Sequence, residues 1–135
     1  MPDVKEKVNG LSQGERVLFN TYCKLINQVL YPEDLEGKKL DAKDLDNLMV
    51  SVSDAVDPIN IFRVIDVVMD ALIDLLSDEK PDEAEKIEQE LKLLKAEYLS
   101  KYLWEYDTVG WAPTTASAFF YDLDGYLQGR MSEER

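Results

Sequence analysis

Apolar residues recur along most of the chain at intervals of three and four, the spacing of amphipathic helices, and the runs are separated by proline or glycine. The first run opens at Ser12, placed with Glu15 for a reciprocal capping box, and closes near Tyr31, because Pro32 disfavours the α conformation in the residue before it. Its apolar positions, from Val17 to Leu30, cover more than one narrow stripe, so neighbours on two sides are expected. Glu33 to Leu40, with Gly37, reads as a loop. The second run begins at Asp41, with Asp44 three residues on and Leu40 and Leu45 placed as a hydrophobic staple. Leu45, Leu48, Met49, Val52 and Val56 then form one buried face.

The third run, 58–76, is apolar nearly all round, with Asp57 as N-cap and Pro58 at the first helical position, where a missing N–H costs nothing. Its interior polar residues are Asn60, Arg63, Asp66, Asp70 and Asp74. A helix of that kind has to be surrounded by others, so it is expected at the centre. A turn at 77–80 leads to a fourth helix, 81–106, apolar at positions 84, 87, 91, 94 and 98, with Glu88/Lys92 and Glu97/Lys101 as i, i+4 pairs. After Gly110, Trp111 and Pro113, a fifth helix is expected from Thr114 or Thr115 to Gln128. It buries Ala116, Phe119, Phe120, Leu123 and Leu127 and stops at Gly129. Gly125 inside it costs about 1 kcal/mol relative to alanine, and a short strand at 118–123 is the rival reading. The pattern predicts an all-α, compact bundle of about five helices around the apolar segment 58–76. Residues 1–11 form an N-terminal arm, 12–129 a single helical domain and 130–135 a charged tail.

Composition narrows the chemistry. The chain has 135 residues, 28 Asp plus Glu against 15 Lys plus Arg, a net charge of −13, one cysteine and no histidine. Without imidazole there is no Ser-His-Asp or Cys-His relay, and with one thiol, Cys23, there is no intrachain disulfide and no thiolate zinc cage. Cys23 lies on an apolar face and reads as an inert thiol. The acidic excess repels phosphate backbones and anionic lipid, so direct nucleic-acid or membrane binding is not expected, and basic proteins or cations are the compatible partners. The N-terminal residues carry no apolar core of a signal peptide, and no uninterrupted apolar run exceeds four residues, Ala118 to Tyr121. A cytoplasmic address is therefore the expectation.

Two strings carry candidate chemistry. Phe119 to Leu127 resembles the first motif of the haloacid dehalogenase-like phosphatases, an apolar strand followed by D-x-D-G-T-L. Asp122 stands in the nucleophile place, Asp124 in that of the general acid/base, and Tyr126 where threonine is usual. The resemblance implies a Rossmann-like sheet after the motif, but only eight residues follow Leu127; as a helix, the same string presents an aromatic core face and two solvated aspartates.

The second candidate is the row Asp66, Asp70 and Asp74, spaced by four along one side of the central helix with Arg63 one turn earlier. Neighbouring carboxylates about 6 Å apart repel unless water, a cation or a basic side chain screens them. Mg²⁺ would suit the row, with substrate phosphates completing its shell, as in helical nucleotide pyrophosphatases. The E-x-x-E and E-x-x-D pairs of that family are not reproduced: Asp41/Asp44, Asp54/Asp57 and Glu85/Glu88 have the spacing but fall at caps or on a wet face. The bland reading is a solvated stripe on a buried helix.

Nine aromatic residues lie between Tyr98 and Tyr126, and Tyr98, Tyr102, Trp104, Tyr106, Trp111 and Phe120 are the candidate interface residues. The stretch 66–90 adds ten acids against two bases, a face for a basic partner or a mimic of a nucleic-acid backbone. The expected function is a non-catalytic one, exercised through protein contacts as a homodimer of adaptor or regulatory type, with no cofactor. A homodimer is expected because the first and third helices have more apolar circumference than five helices easily cover. The alternatives are an Mg²⁺-dependent hydrolase of nucleotide-like phosphates using the Asp row, and an acidic mimic or ligand of a basic DNA-binding protein.

Overall fold

A computed structural model describes residues 4–53, 60–109 and 113–133, and its side chains other than those at 42, 49–53, 98, 99, 101–109, 113–115 and 130–133. Among the described residues six α-helices follow one another: α1 Val4–Asn9, α2 Gln13–Leu30, α3 Ala42–Ser53, α4 Ile61–Glu79, α5 Ala84–Val109 and α6 Pro113–Glu133. Among the described residues there is no strand, so the fold is all-α.

The central place of α4 follows from its composition. Val64, Ile65, Val67, Val68, Met69, Leu72 and Leu76 are all buried, and the helix packs against α5, α2, α1 and α6. Burying one such side chain contributes about 1.5–3 kcal/mol, so this segment dominates the apolar drive to fold. From α2 come Leu18, Tyr22, Leu25, Ile26 and Val29, and from α6 Phe119, Leu123 and Leu127. Much of the apolar surface of α2 and α4 is covered within one chain, while Val17 on α2 is exposed and Leu30, Phe62, Ile73 and Leu75 are partly buried.

Part of that cover comes from residues expected to be an arm. Val4–Asn9 is a short helix whose Val4 and Val8 pack on the core, and Gly10 and Leu11 close the turn by donating to Glu6, Lys7 and Val8 carbonyls. Leu11, just beyond it, is buried.

Helix ends are set by local chemistry. At Ser12 both halves of the capping box form: the Glu15 N–H donates to Ser12 Oγ (3.2 Å) and the Ser12 N–H to Glu15 Oε1 (2.9 Å). Asp41 and Asp44 repeat the arrangement in front of α3, each N–H reaching the other's carboxylate at 3.0 Å. These backbone bonds hold the Asp41 carboxyl below its ordinary range. The two proline stops are near copies. Tyr31 (φ −130°, ψ 63°) and Lys80 (φ −135°, ψ 71°) leave the helix immediately before Pro32 and Pro81, and each is followed by a 3-10 turn.

Several boundaries differ from expectation, among them both ends of α5, which starts at Ala84 after a 3-10 turn over Pro81–Glu83 and runs to Val109 where 81–106 was expected. Helix α4 is capped by Asn60, whose Oδ1 accepts from the Arg63 N–H; the expected start at Asp57 and Pro58 lies outside the described residues. The same helix continues through Ser77 and Asp78 to Glu79, because nothing before the pre-proline residue Lys80 interrupts its backbone ladder. Helix α6 runs through Gly129 to Glu133. A glycine terminates a helix by adopting positive φ, and among the described residues only Gly37 does so, in the loop before α3. The rival strand at 118–123 is helical throughout.

Candidate functional site

The Asp row does not share one environment. Lys7, reaching over from α1, bridges Asp66 (3.3 Å) and Asp70, and Lys95 from α5 pairs with the other oxygen of Asp66. Asp74, one turn further on, is exposed. The repulsion expected along the row is therefore relieved over its first two members by lysines 59 and 29 residues away from Asp66 in sequence. Burial raises the pKa of the Asp66 carboxyl, but the hydrogen bond and charge of Lys95, reinforced by Lys7, outweigh it and hold the group below the usual range. Lys7 is raised, chiefly by its hydrogen bond to Asp70 against the opposing effect of burial. Among the described residues no group of three or more carboxylates or thiols is gathered closely enough to hold a metal ion.

A fully buried carboxylate lies elsewhere. Glu15 is 1 % exposed; besides its capping bond it accepts the Asn60 N–H at 2.6 Å and faces the Arg63 guanidinium at 3.5 Å. It ties the start of α2 to the start of α4, and with its oxygens so engaged its work is structural. Gln28 pins the 31–41 loop in a similar way, exchanging two hydrogen bonds with the backbone of Leu40 (2.8 and 2.7 Å). Tyr22 joins α2 to α6: its hydroxyl donates to the Ala116 carbonyl at 2.8 Å, and its ring meets Phe119 edge-on at 5.0 Å. Burial pushes its pKa upward, which removes it from acid–base chemistry. Cys23 is half-buried and its thiol is likewise raised by burial, the opposite of an activated nucleophile.

Of the candidate interface residues, Phe120 is 3 % exposed and belongs to the core; the side chains of Tyr98, Tyr102, Trp104, Tyr106 and Trp111 lie outside the described residues. Asp122 is exposed and Asp124 half-buried on α6, where Asp124 accepts from Gln128 at 3.4 Å. The D-x-D string is thus helical and carries none of the strand geometry of its phosphatase counterpart.

A different surface emerges between α5 and α6. The facing sides of Glu90–Ser100 and Asp122–Gly129 leave an open groove of about 1100 Å³. Leu93, 73 % exposed, stands on one wall, beside Leu94 and Ala96. On the other wall are Gly125 and Gly129, where an added Cβ would meet nothing within 4 Å. Each glycine costs about 1 kcal/mol of helix stability relative to alanine, and no close packing among the described residues requires it. Glu90, Glu97 and Asp122 complete the lining, and the Tyr126 hydroxyl donates to Glu90 at 2.9 Å across the helix pair.

Sequence reasoning passed over Leu93, Ala96 and Gly129 as a binding surface. Two signals for it were present: Leu93, Ala96 and Leu99 fall off the 84-87-91-94-98 ladder, and Gly125 weakens a helix it does not end. A second cleft, about 750 Å³, lies between α2 and the 31–41 loop, lined by Lys24, Asn27, Tyr31, Leu35 and Lys38 among others. Its polar walls include Gln28, already committed to holding the loop. No helix among the described residues is long and apolar enough to cross a membrane. No family model, no curated protein and no solved structure matches the chain.

Proposed function

We propose that this protein is a non-catalytic contact module that works by presenting the α5–α6 groove to another protein. The observation that supports this most is Leu93: a leucine 73 % exposed on the wall of a groove whose opposite wall includes Gly125 and Gly129, where among the described residues an added Cβ would meet nothing within 4 Å. A leucine exposed in a groove beside Leu94 and Ala96 says more about contact than one standing singly on a convex surface. Potential reactive groups elsewhere are drawn into the scaffold, Asp66 and Asp70 by lysines and Glu15 by backbone donors.

The test is replacement of the chromosomal copy in the source cells. Leu93→Asp should reproduce the phenotype of deleting the protein while leaving its level and melting temperature unchanged, and Asp70→Asn should behave as wild type. The opposite pattern, a silent Leu93→Asp and a null Asp70→Asn that still folds, would discard the contact role in favour of Asp-row chemistry.

A further inference from the structure

We infer that the cleft between α2 and the 31–41 loop binds a short zwitterionic peptide, two or three residues long, with free termini and an aliphatic side chain. Among the described residues it shares no lining residue with the α5–α6 groove, and it stands independently of the contact role.

Local chemistry holds the cleft open. The chain leaves α2 at the pre-proline residue Tyr31 and turns at Gly37, whose φ of 80° side chains rarely adopt. It is then tied back to α2 at Leu40, whose backbone exchanges two hydrogen bonds with Gln28 (2.8 and 2.7 Å). A loop fixed at both ends keeps a space of about 750 Å³ between itself and the helix, within the range of about 300–1,000 Å³ usual for small-ligand clefts. An extended tripeptide, about 10 Å long, is of that size.

The least exposed lining group asks for an amide. Gln28 is 6 % exposed, and a carboxamide carries two N–H donors and two acceptor lone pairs. Leu40 takes one of each, and among the described residues the others have no partner. Buried polar groups are ordinarily paired, so a donor and an acceptor remain for a molecule that brings both, as a peptide does with its N–H and C=O. Tyr31 and Leu40, both half-buried, and the exposed Leu35 supply apolar contact for its side chain.

Charge at the opening narrows the class further. Lys24 and Lys38 line it together with Asp34, Glu36 and Asp44. The Asp44 carboxylate already accepts the Asp41 N–H in front of α3, which leaves two cations and two carboxylates, an even balance in a chain of net charge −13. The side chains of Lys24, Asp34 and Glu36 have no partner among the described residues, and Lys38 acts on Asp41 through its charge. An anionic ligand would meet two carboxylates here, and a cationic one two lysines. A molecule with one charge of each sign suits both pairs. The ends of a short peptide carry those charges, and its uncharged middle meets Gln28.

The experiment is isothermal titration calorimetry of the full chain with alanyl-leucyl-alanine in three forms: with free termini, acetylated at the N-terminus, and amidated at the C-terminus. The free form should bind, and blocking either end should weaken it at least tenfold. Lys24→Gln combined with Lys38→Gln, both at exposed positions, should weaken the free form at least tenfold and erase its preference over the amidated form, leaving its preference over the acetylated form. Asp34→Asn combined with Glu36→Gln should do the converse.

Equal binding of all three forms would overturn the inference. So would strongest binding of the amidated form, which would be attraction of a cation to an acidic chain. Free-peptide binding unmoved by both double variants would lie outside the cleft and overturn it as well, and absence of binding would do the same. None of the substituted residues lines the α5–α6 groove, so each of these results leaves the contact role to its own test.

Discussion

Two regions of the molecule hold acidic residues in helical register and meet opposite fates. On α4, Asp66 and Asp70 look like chemistry in the sequence because they are dense and evenly spaced, yet the fold engages them with Lys7 and Lys95. On α5 and α6, Glu90, Glu97 and Asp122 are scattered over 33 positions, and the fold collects them along one open groove beside Leu93, Leu94 and Ala96, with Glu90 accepting from Tyr126. Density along the chain is a poor guide to a site, because the partners that neutralise a charge come from distant segments. What survives packing as an open, chemically consistent surface is the better guide.

The largest effect expected from this contrast separates two leucines on α5. Leu91 is fully buried and Leu93 is 73 % exposed. Leu91→Ala should cost about 2–5 kcal/mol in chemical denaturation, as a core truncation does, whereas Leu93→Ala should stay within about 0.5 kcal/mol of wild type. Comparable losses at both positions would mean that the α5–α6 groove is closed in solution.

The next effect is on the other side of the comparison. Asp66 is about one-third exposed, so its ion pairs are partly screened, and Asp66→Asn should cost about 0.5–1 kcal/mol at neutral pH. Because the folded carboxyl titrates below its unfolded value of 3.8, its contribution is present above that pH and is lost as pH falls through the lower, folded value. The stability gap between wild type and Asp66→Asn should therefore close on acidification below about pH 4. Lys7 behaves in the mirror sense: its raised pKa contributes fully below 10.5 and fades as pH rises past the folded value. No gap between wild type and Lys7→Ala at any pH would show that α1 is held by its apolar contacts, Val4 and Val8, and not by the lysine.

Much of the architecture was legible from residues alone, and the reasons are local. The Ser12/Glu15 and Asp41/Asp44 boxes, the stops before Pro32 and Pro81 and the all-round apolarity of α4 each act within a few positions. Helix α1 was not legible: six residues are too few to show periodicity, and its stability comes from docking on α4. The run-through at Gly129 was missed because a helix-ending glycine and a helix-lining one are the same letter, distinguished only by φ. The lysine clamp and the groove were illegible for a shared reason, since both are made between segments more than about 20 residues apart, well beyond any local pattern.

A smaller effect sharpens the other half. Gly125→Ala adds a Cβ into open space and replaces a poor helix former. It should raise stability by about 0.5–1 kcal/mol. Unchanged or lowered stability would show that the fold does need the glycine. The smallest expected effect is that of Mg²⁺. A ligand at one hundred times its Kd adds about 2.7 kcal/mol to the folded state, whereas an Asp row held by lysines offers no site of that strength, so millimolar Mg²⁺ should leave the melting temperature within a degree of the metal-free value.

The most direct measurement is a comparison of amide chemical shifts of the ¹⁵N-labelled full chain alone and in an extract of its source cells. Shifts concentrated at positions 93, 97, 125 and 129, with 66, 70 and 74 unmoved, are the expected result. Shifts centred on the α4 row, or spread evenly over every acidic face, would contradict the assignment of the α5–α6 groove as the working surface.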